Sequence, residues 1–118
     1  MTTAKYAYVA AGIAGVALWV ATSHLTGRLE AWDAAEYWSL TYPLGIVVAG
    51  ALAYVAPHTG AWRLGLVLMV AQAVTLAVMA RSFGLLPLGL VLFTILSIPP
   101  AAIATVASAV AQRRRAGA

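Results

Sequence analysis

Four long apolar stretches dominate the sequence and restrict what the chain can fold into. They cover about residues 6–23, 38–56, 62–80 and 86–112, and charged residues occur only at their edges. A transmembrane helix needs about 20 mostly apolar residues, with a lower limit of about 17. Backbone polar groups within lipid must hydrogen-bond inside the protein, so each stretch is predicted to be helical. We therefore expect an all-α integral membrane protein, a compact four-transmembrane-helix bundle that forms a single domain over residues 1–118.

The composition supports lipid as the surrounding solvent. Of 118 residues, 64% are hydrophobic and 8% are charged, whereas a soluble domain carries about 25% charged residues. Too few polar residues remain to cover a soluble core. The net charge of +4 could indicate nucleic-acid binding, but Arg113, Arg114 and Arg115 directly follow an apolar stretch. We read this triplet as a membrane-surface anchor, and we expect the lipid bilayer and no nucleic acid as a partner.

The distribution of basic residues predicts an orientation. Four spans place both termini on one side, together with Lys5, Arg63 and the arginine triplet. Only Arg28 and Arg81 fall on the other side. Because cytoplasmic loops of membrane proteins are enriched in Lys and Arg, both termini are predicted to be cytoplasmic. The expected location is a bacterial inner membrane.

The segment from His24 to Tyr37, between the first two stretches, contains all three acidic residues. At about 100° per residue, Leu25, Leu29, Trp32 and Glu36 share one face, while Glu30 and Asp33 lie elsewhere. This pattern predicts a short amphipathic helix along the outer membrane surface.

A carboxylate on that apolar face would need a partner. We predict that Glu36 or Asp33 pairs with Arg81 or Arg28, because a desolvated carboxylate is stabilised by an arginine. Two alternatives stay open, a solvated loop and a ligand or proton site.

The third and fourth stretches each contain a polar or irregular feature near mid-membrane. Gln72 lies near the middle of the third, and Pro99 and Pro100 interrupt the fourth. The prolines lack the N–H groups that would meet the carbonyls of Ile95 and Leu96. The candidate donors for these carbonyls are Gln72, Ser97 and Thr94. Gln72 is interpreted as a contact between helices, a residue without a specific partner, or the lining of a permeation or ligand site.

Two further patterns bear on packing. Small residues recur at four-residue spacing, which favours close helix packing within the bundle or association with another chain. The two series are Ala7, Ala11 and Gly15, and Gly45, Ala49 and Ala53. Thr41 precedes Pro43 and is the expected N-cap if the second helix begins late.

No motif indicates catalysis, a cofactor or a metal. The chain has no cysteine, and its two histidines, His24 and His58, are predicted on opposite sides of the membrane. We therefore expect no catalytic, cofactor-binding or metal-binding residues.

Three functions remain as hypotheses. The first is an accessory or assembly subunit of a larger membrane complex, acting through helix contacts without catalysis. The second is a small homo-oligomeric transporter, flippase or channel for a small or lipidic substrate. The third is an enzyme acting on lipid, with the outer acids as its only candidate groups. A water-accessible cavity lined by Gln72, Thr75, Thr94 or Ser97 would favour the second over the first.

Overall fold

The structure, a computed structural model, describes residues 2–27, 35–80 and 86–117. The described residues are helical apart from short turns. The elements are α1 (Thr2–Thr26), a π-helical turn (Tyr37–Thr41) that leads into α2 (Tyr42–Val55), α3 (Trp62–Ala80), α4 (Leu86–Leu96) and α5 (Ile98–Gly117).

The prediction of an all-helical chain with four helices long and apolar enough to cross a membrane is confirmed. These helices are α1, the π turn with α2, α3, and α4 with α5. The 19 residues of α3 extend over about 28 Å, close to the roughly 30 Å hydrocarbon thickness of a bilayer. The first helix begins earlier and the last ends later than the apolar stretches alone suggest, because Lys5 and the arginine triplet continue them.

Helix α3 packs between α1 and α5. The most extensive contacts are those of α1 with α3 and of α2 with α5, followed by those of α3 with α5. The buried side chains of α3 include Leu64, Leu68, Met69 and Gln72. Both series of small residues face inward, since all six of their members are buried. The four-residue spacing therefore serves packing within the bundle.

Two glycines allow main chains to meet directly. A Cβ atom at Gly15 would collide with the carbonyl oxygen of Leu68 and would lie 2.9 Å from the Cβ of Ala71. A Cβ at Gly65 would lie 2.5 Å from the nitrogen of Ala101. Helix α3 thus approaches α1 at one glycine and α5 at the other, and neither position has room for a side chain.

The second span begins with an irregular turn. The N–H of Tyr42 donates to the carbonyl of Tyr37, five residues earlier, so this turn is wider than an α-helical one. The turn ends two residues before Pro43, which has no N–H to donate. The expectation that Thr41 caps α2 is wrong, because Thr41 has helical backbone angles and its side chain makes no capping hydrogen bond. The helix already runs through this residue.

The irregularity of the fourth span lies at Ser97, whereas the sequence suggested Pro99 and Pro100. Helix α4 ends at Leu96 and α5 begins at Ile98. The prolines occupy the first turn of α5, where a missing N–H costs little. Hydrogen bonds continue across the junction, from the nitrogen of Ser97 to the carbonyl of Phe93 at 2.9 Å and from the nitrogen of Ala101 to the carbonyl of Ser97 at 3.0 Å.

Replacing Gly15 by alanine is expected to lower the free energy of unfolding by about 1–3 kcal/mol, the usual cost of overpacking. Gly12→Ala is the matched control, because a Cβ there would meet only Cγ1 of Val67, at an ordinary 3.9 Å. Both changes remove a glycine from α1, so any gain in helix propensity is shared. Denaturant unfolding in detergent micelles measures the difference, and equal stabilities would contradict the close contact.

Candidate functional site

The polar centre of the bundle is formed by Gln72 and Tyr37. Gln72 of α3 is fully buried, and its Oε1 accepts a 2.6 Å hydrogen bond from the hydroxyl of Tyr37. Tyr37, in the π turn, is also fully buried. Gln72 thus makes a contact between two spans, the first of the three interpretations of this residue. The Nε2 atom of the same amide is buried and has no hydrogen-bond partner among the described residues.

Aromatic rings surround this pair. The ring of Trp19 meets that of Tyr37 edge to face, with centroids 5.7 Å apart. Trp19 also lies 5.6 Å from the ring of Phe93. Such pairs add about 0.5–1.5 kcal/mol beyond their burial. We refer to Trp19, Tyr37, Gln72 and Phe93 as the aromatic–amide cluster, which joins α1, the π turn, α3 and α4.

The wide π turn explains why the rings of Tyr37 and Tyr42 lie side by side. Residues five apart in an α-helix differ by about 140° around the axis at 100° per residue. The π turn brings Tyr37 and Tyr42 closer to one side, where their rings stack with centroids 6.0 Å apart.

Tyr42 is the donor for the carbonyl of Leu96, in place of the expected Gln72, Ser97 or Thr94. Its hydroxyl donates a 2.5 Å hydrogen bond to the carbonyl oxygen of Leu96, whose usual donor would be the nitrogen of Pro100. None of the expected donors makes this bond. Gln72 contacts Tyr37, while Ser97 donates to the carbonyl of Thr94 at 2.6 Å. Thr94 donates to the carbonyl of Leu90 at 2.7 Å.

The remaining hydroxyls near the cluster are also bound within the bundle. Thr22 donates to the carbonyl of Leu18 at 2.8 Å, so its oxygen accepts the 2.5 Å hydrogen bond from Thr41. Thr75 donates to the carbonyl of Ala71 at 2.7 Å. Consequently Thr75, Thr94 and Ser97 direct their hydrogens into their own helices rather than toward a shared polar path.

The predicted charged site lies mostly outside the described residues. Arg28, Glu30, Asp33 and Arg81 are not among them. Glu36 is described, and it is exposed just before the π turn. The predicted ion pair therefore stays a prediction.

A second polar cluster lies at the other end of the bundle and was missed in the sequence. Tyr8 of α1 meets Nε2 of His58 at 2.8 Å, and Nδ1 of His58 lies 2.7 Å from the carbonyl of Ala56. That carbonyl can only accept, so Nδ1 carries the hydrogen and Nε2 accepts from Tyr8. The hydroxyl of Ser108, on α5, bridges the backbone nitrogen and carbonyl of His58 at 3.1 and 3.2 Å. The loop between α2 and α3 is thereby attached to α1 and to α5.

The same end of the bundle carries the basic residues. Arg114 donates to the hydroxyl of Tyr54 at 3.1 Å, and Arg115 donates to the carbonyl of Val55 at 3.1 Å. The guanidinium of Arg63 lies 5.5 Å from the ring centroid of Trp62. The partners of these guanidinium groups among the described residues are neutral, so they do not compensate the positive charges.

Neither cluster has a composition that points to a known chemistry. Within residues 2–27, 35–80 and 86–117, no group of three or more His, Cys, Asp or Glu side chains could hold a metal ion. Comparisons of the chain with protein-family models, with curated proteins and with solved structures find no match. The aromatic–amide cluster holds the buried amide nitrogen Nε2 of Gln72, a hydrogen-bond donor with no partner among the described residues, in a mostly apolar surrounding.

Tyr37→Phe is expected to destabilise the bundle by about 0.6–1.7 kcal/mol, the range of hydrogen bonds between transmembrane helices. The variant leaves both ends of the Gln72 amide without partners. Gln72→Met removes the amide, so the double variant should be more stable than the sum of the two single losses predicts. Unfolding of the four proteins in micelles measures this coupling, and strict additivity would refute the hydrogen bond.

Proposed function

We propose that the chain is an integral membrane protein of four transmembrane helices, with both termini in the cytoplasm of a bacterial cell and the spans in its inner membrane. Contacts of His58 with Tyr8 and Ser108 support a common end for the start of α1 and the later part of α5. Lys5, Arg63 and the arginine triplet belong to that end. The excess of basic residues at one end is typical of the cytoplasmic side.

The opposite end includes the segment between α1 and α2. We propose that this segment lies along the outer membrane surface, with Arg28, Arg81, Glu30 and Asp33 on that side. The exposure of Glu36 is compatible with such a position.

Within that membrane, we propose a non-catalytic role as an accessory or assembly subunit that contacts a partner through its helices. The observation that supports this role is the outer face of α1. Its exposed large residues include Val9, Ile13 and Val16. Together with the small residues Gly12 and Ala17, and with Val20, they form a shallow apolar groove.

This face suits a second helix for two physical reasons. β-Branched side chains have few rotamers to lose when they become buried. Small residues let another helix approach closely, which matters in lipid because apolar surface alone gives no driving force for association. The inward series on α1, by contrast, is already used against α3.

The proposed role predicts that the protein, isolated from its native membrane in mild detergent, co-purifies with a larger complex in fixed stoichiometry. Ala17→Leu adds bulk to the exposed face of α1 and should reduce recovery of that complex about tenfold, while leaving the bundle folded. Ala51→Leu, an equal change at an exposed position of α2, is the control. Recovery of a lone homodimer, unaffected by Ala17→Leu, would contradict the subunit role.

The second candidate function is a small oligomeric transporter, flippase or channel. One observation favours it. The Nε2 atom of Gln72 has no hydrogen-bond partner in the described part of the chain, and it lies beside a π turn, a feature that is frequent at functional sites.

Cysteine labelling separates the two functions, because the chain has no cysteine of its own. Under the subunit proposal, Thr75→Cys and Ser97→Cys stay unlabelled by a water-soluble maleimide in membranes. Ala116→Cys, at an exposed position beyond the apolar stretch, should label fully. Val74→Cys, on the apolar surface, controls for reagent that enters from lipid. Rapid labelling at positions 75 and 97 alone would favour a water-filled path and hence transport.

A further inference from the structure

A surface groove runs between α3 and α4 on the side of α3 away from the π turn. Its volume is about 240 Å³. Val70, Val74 and Leu90 at its edges are about half exposed, so the groove is open to the surroundings. The described lining lies between Leu66 and Ala77 on α3 and between Leu90 and Thr94 on α4.

The described lining offers its occupant no free hydrogen-bond donor from a hydroxyl or amide side chain. Among these residues Thr94 is the polar one, and its hydroxyl hydrogen is already directed to the carbonyl of Leu90 at 2.7 Å. Only an apolar group gains by entering such a surface. A whole helix is about 10–12 Å wide with its side chains, whereas a volume of 240 Å³ between two touching helices suits a single hydrocarbon chain.

The length of the groove matches one leaflet. Along α3 the lining extends from Leu66 to Ala77, which corresponds to about 16 Å at 1.5 Å per residue. Half of the bilayer hydrocarbon measures about 15 Å. An acyl chain in the groove would therefore end near mid-membrane.

A cation and an indole lie at the polar end of this groove. At about 100° per residue, Arg63 is within about 20° of Val70 and Val74, so all three share the groove-facing side of α3. Arg63 is exposed, and Trp62 beside it is 44% exposed. Indole and guanidinium groups are favoured at headgroup depth.

The charge at this end fits an anion. Glu36, the acidic residue that the structure describes, lies beside the π turn, at the end of the bundle opposite Arg63. Among the described side chains, no carboxylate therefore neutralises Arg63. A phosphate group could interact with this guanidinium through charge-assisted hydrogen bonds.

We propose that the groove and Arg63 together bind one anionic phospholipid. One acyl chain lies along α3 and α4, and the headgroup phosphate contacts Arg63 beside Trp62. This inference rests on the membrane location proposed above, and it is independent of whether the protein is a subunit or a transporter. A second copy of the chain is the less favoured occupant, because it would bring no acid to this basic end.

Native mass spectrometry of the full chain tests the proposal, after reconstitution with phosphatidylglycerol and phosphatidylcholine of identical acyl chains. We expect one retained phosphatidylglycerol per chain. Arg63→Gln should lower that retention about fivefold, the effect of losing one cation near an anionic surface. Arg113→Gln, which removes an exposed charge at the same end but outside the groove, should leave retention unchanged.

A second pair of variants tests the apolar part. Ala77→Leu fills the groove and should lower retention of both lipids, whereas Ala109→Leu, at an exposed position of α5, should not. Equal retention of the two lipids, or equal losses in Arg63→Gln and Arg113→Gln, would overturn the proposal. A lipid-free dimer that Ala77→Leu dissociates would also overturn it, in favour of a second copy. Failure to insert into bilayers would overturn both the inference and the proposed membrane location.

Discussion

Main-chain contacts at Gly15 and Gly65 hold α3 between α1 and α5. In lipid, apolar surface gives no driving force for helix association. The attraction therefore comes from close van der Waals packing at small residues. The position of α3 determines the other features of the bundle. One of its faces brings Gln72 to Tyr37 in the interior, and another borders the groove shared with α4.

The two tyrosines at the start of the second span show how polar groups inside the bundle obtain hydrogen-bond partners without a charged side chain. Tyr42 replaces the N–H that Pro100 lacks, and Tyr37 occupies the carbonyl end of the Gln72 amide. A phenol suits this task because most of its surface is apolar and only its tip is a donor. The irregular turn before Pro43 thereby stabilises the junction of α4 and α5, a different irregular element far along the chain.

The apolar stretches were enough to predict four long helices, because length and hydropathy are local properties. The spacing of Gly15 and Gly45 with alanines predicted close contacts but not which helices meet. The role of Tyr42 could not be predicted, since its acceptor lies 54 residues away and the π turn that orients it has no clear sequence signal. The contact between Tyr8 and His58 has a sequence signal in their depths. Tyr8 lies at the start of the first apolar stretch and His58 between the second and third, so both fall on the side predicted to be cytoplasmic.

The hydroxyl of Tyr8 has two acceptors within reach, Nε2 of His58 at 2.8 Å and the carbonyl of Gly60 at 3.4 Å. Both acceptors belong to the loop between α2 and α3. A phenol has one hydrogen, which can turn from one acceptor to the other while the loop stays attached to α1. This attachment therefore tolerates small shifts of the loop that would break a single hydrogen bond.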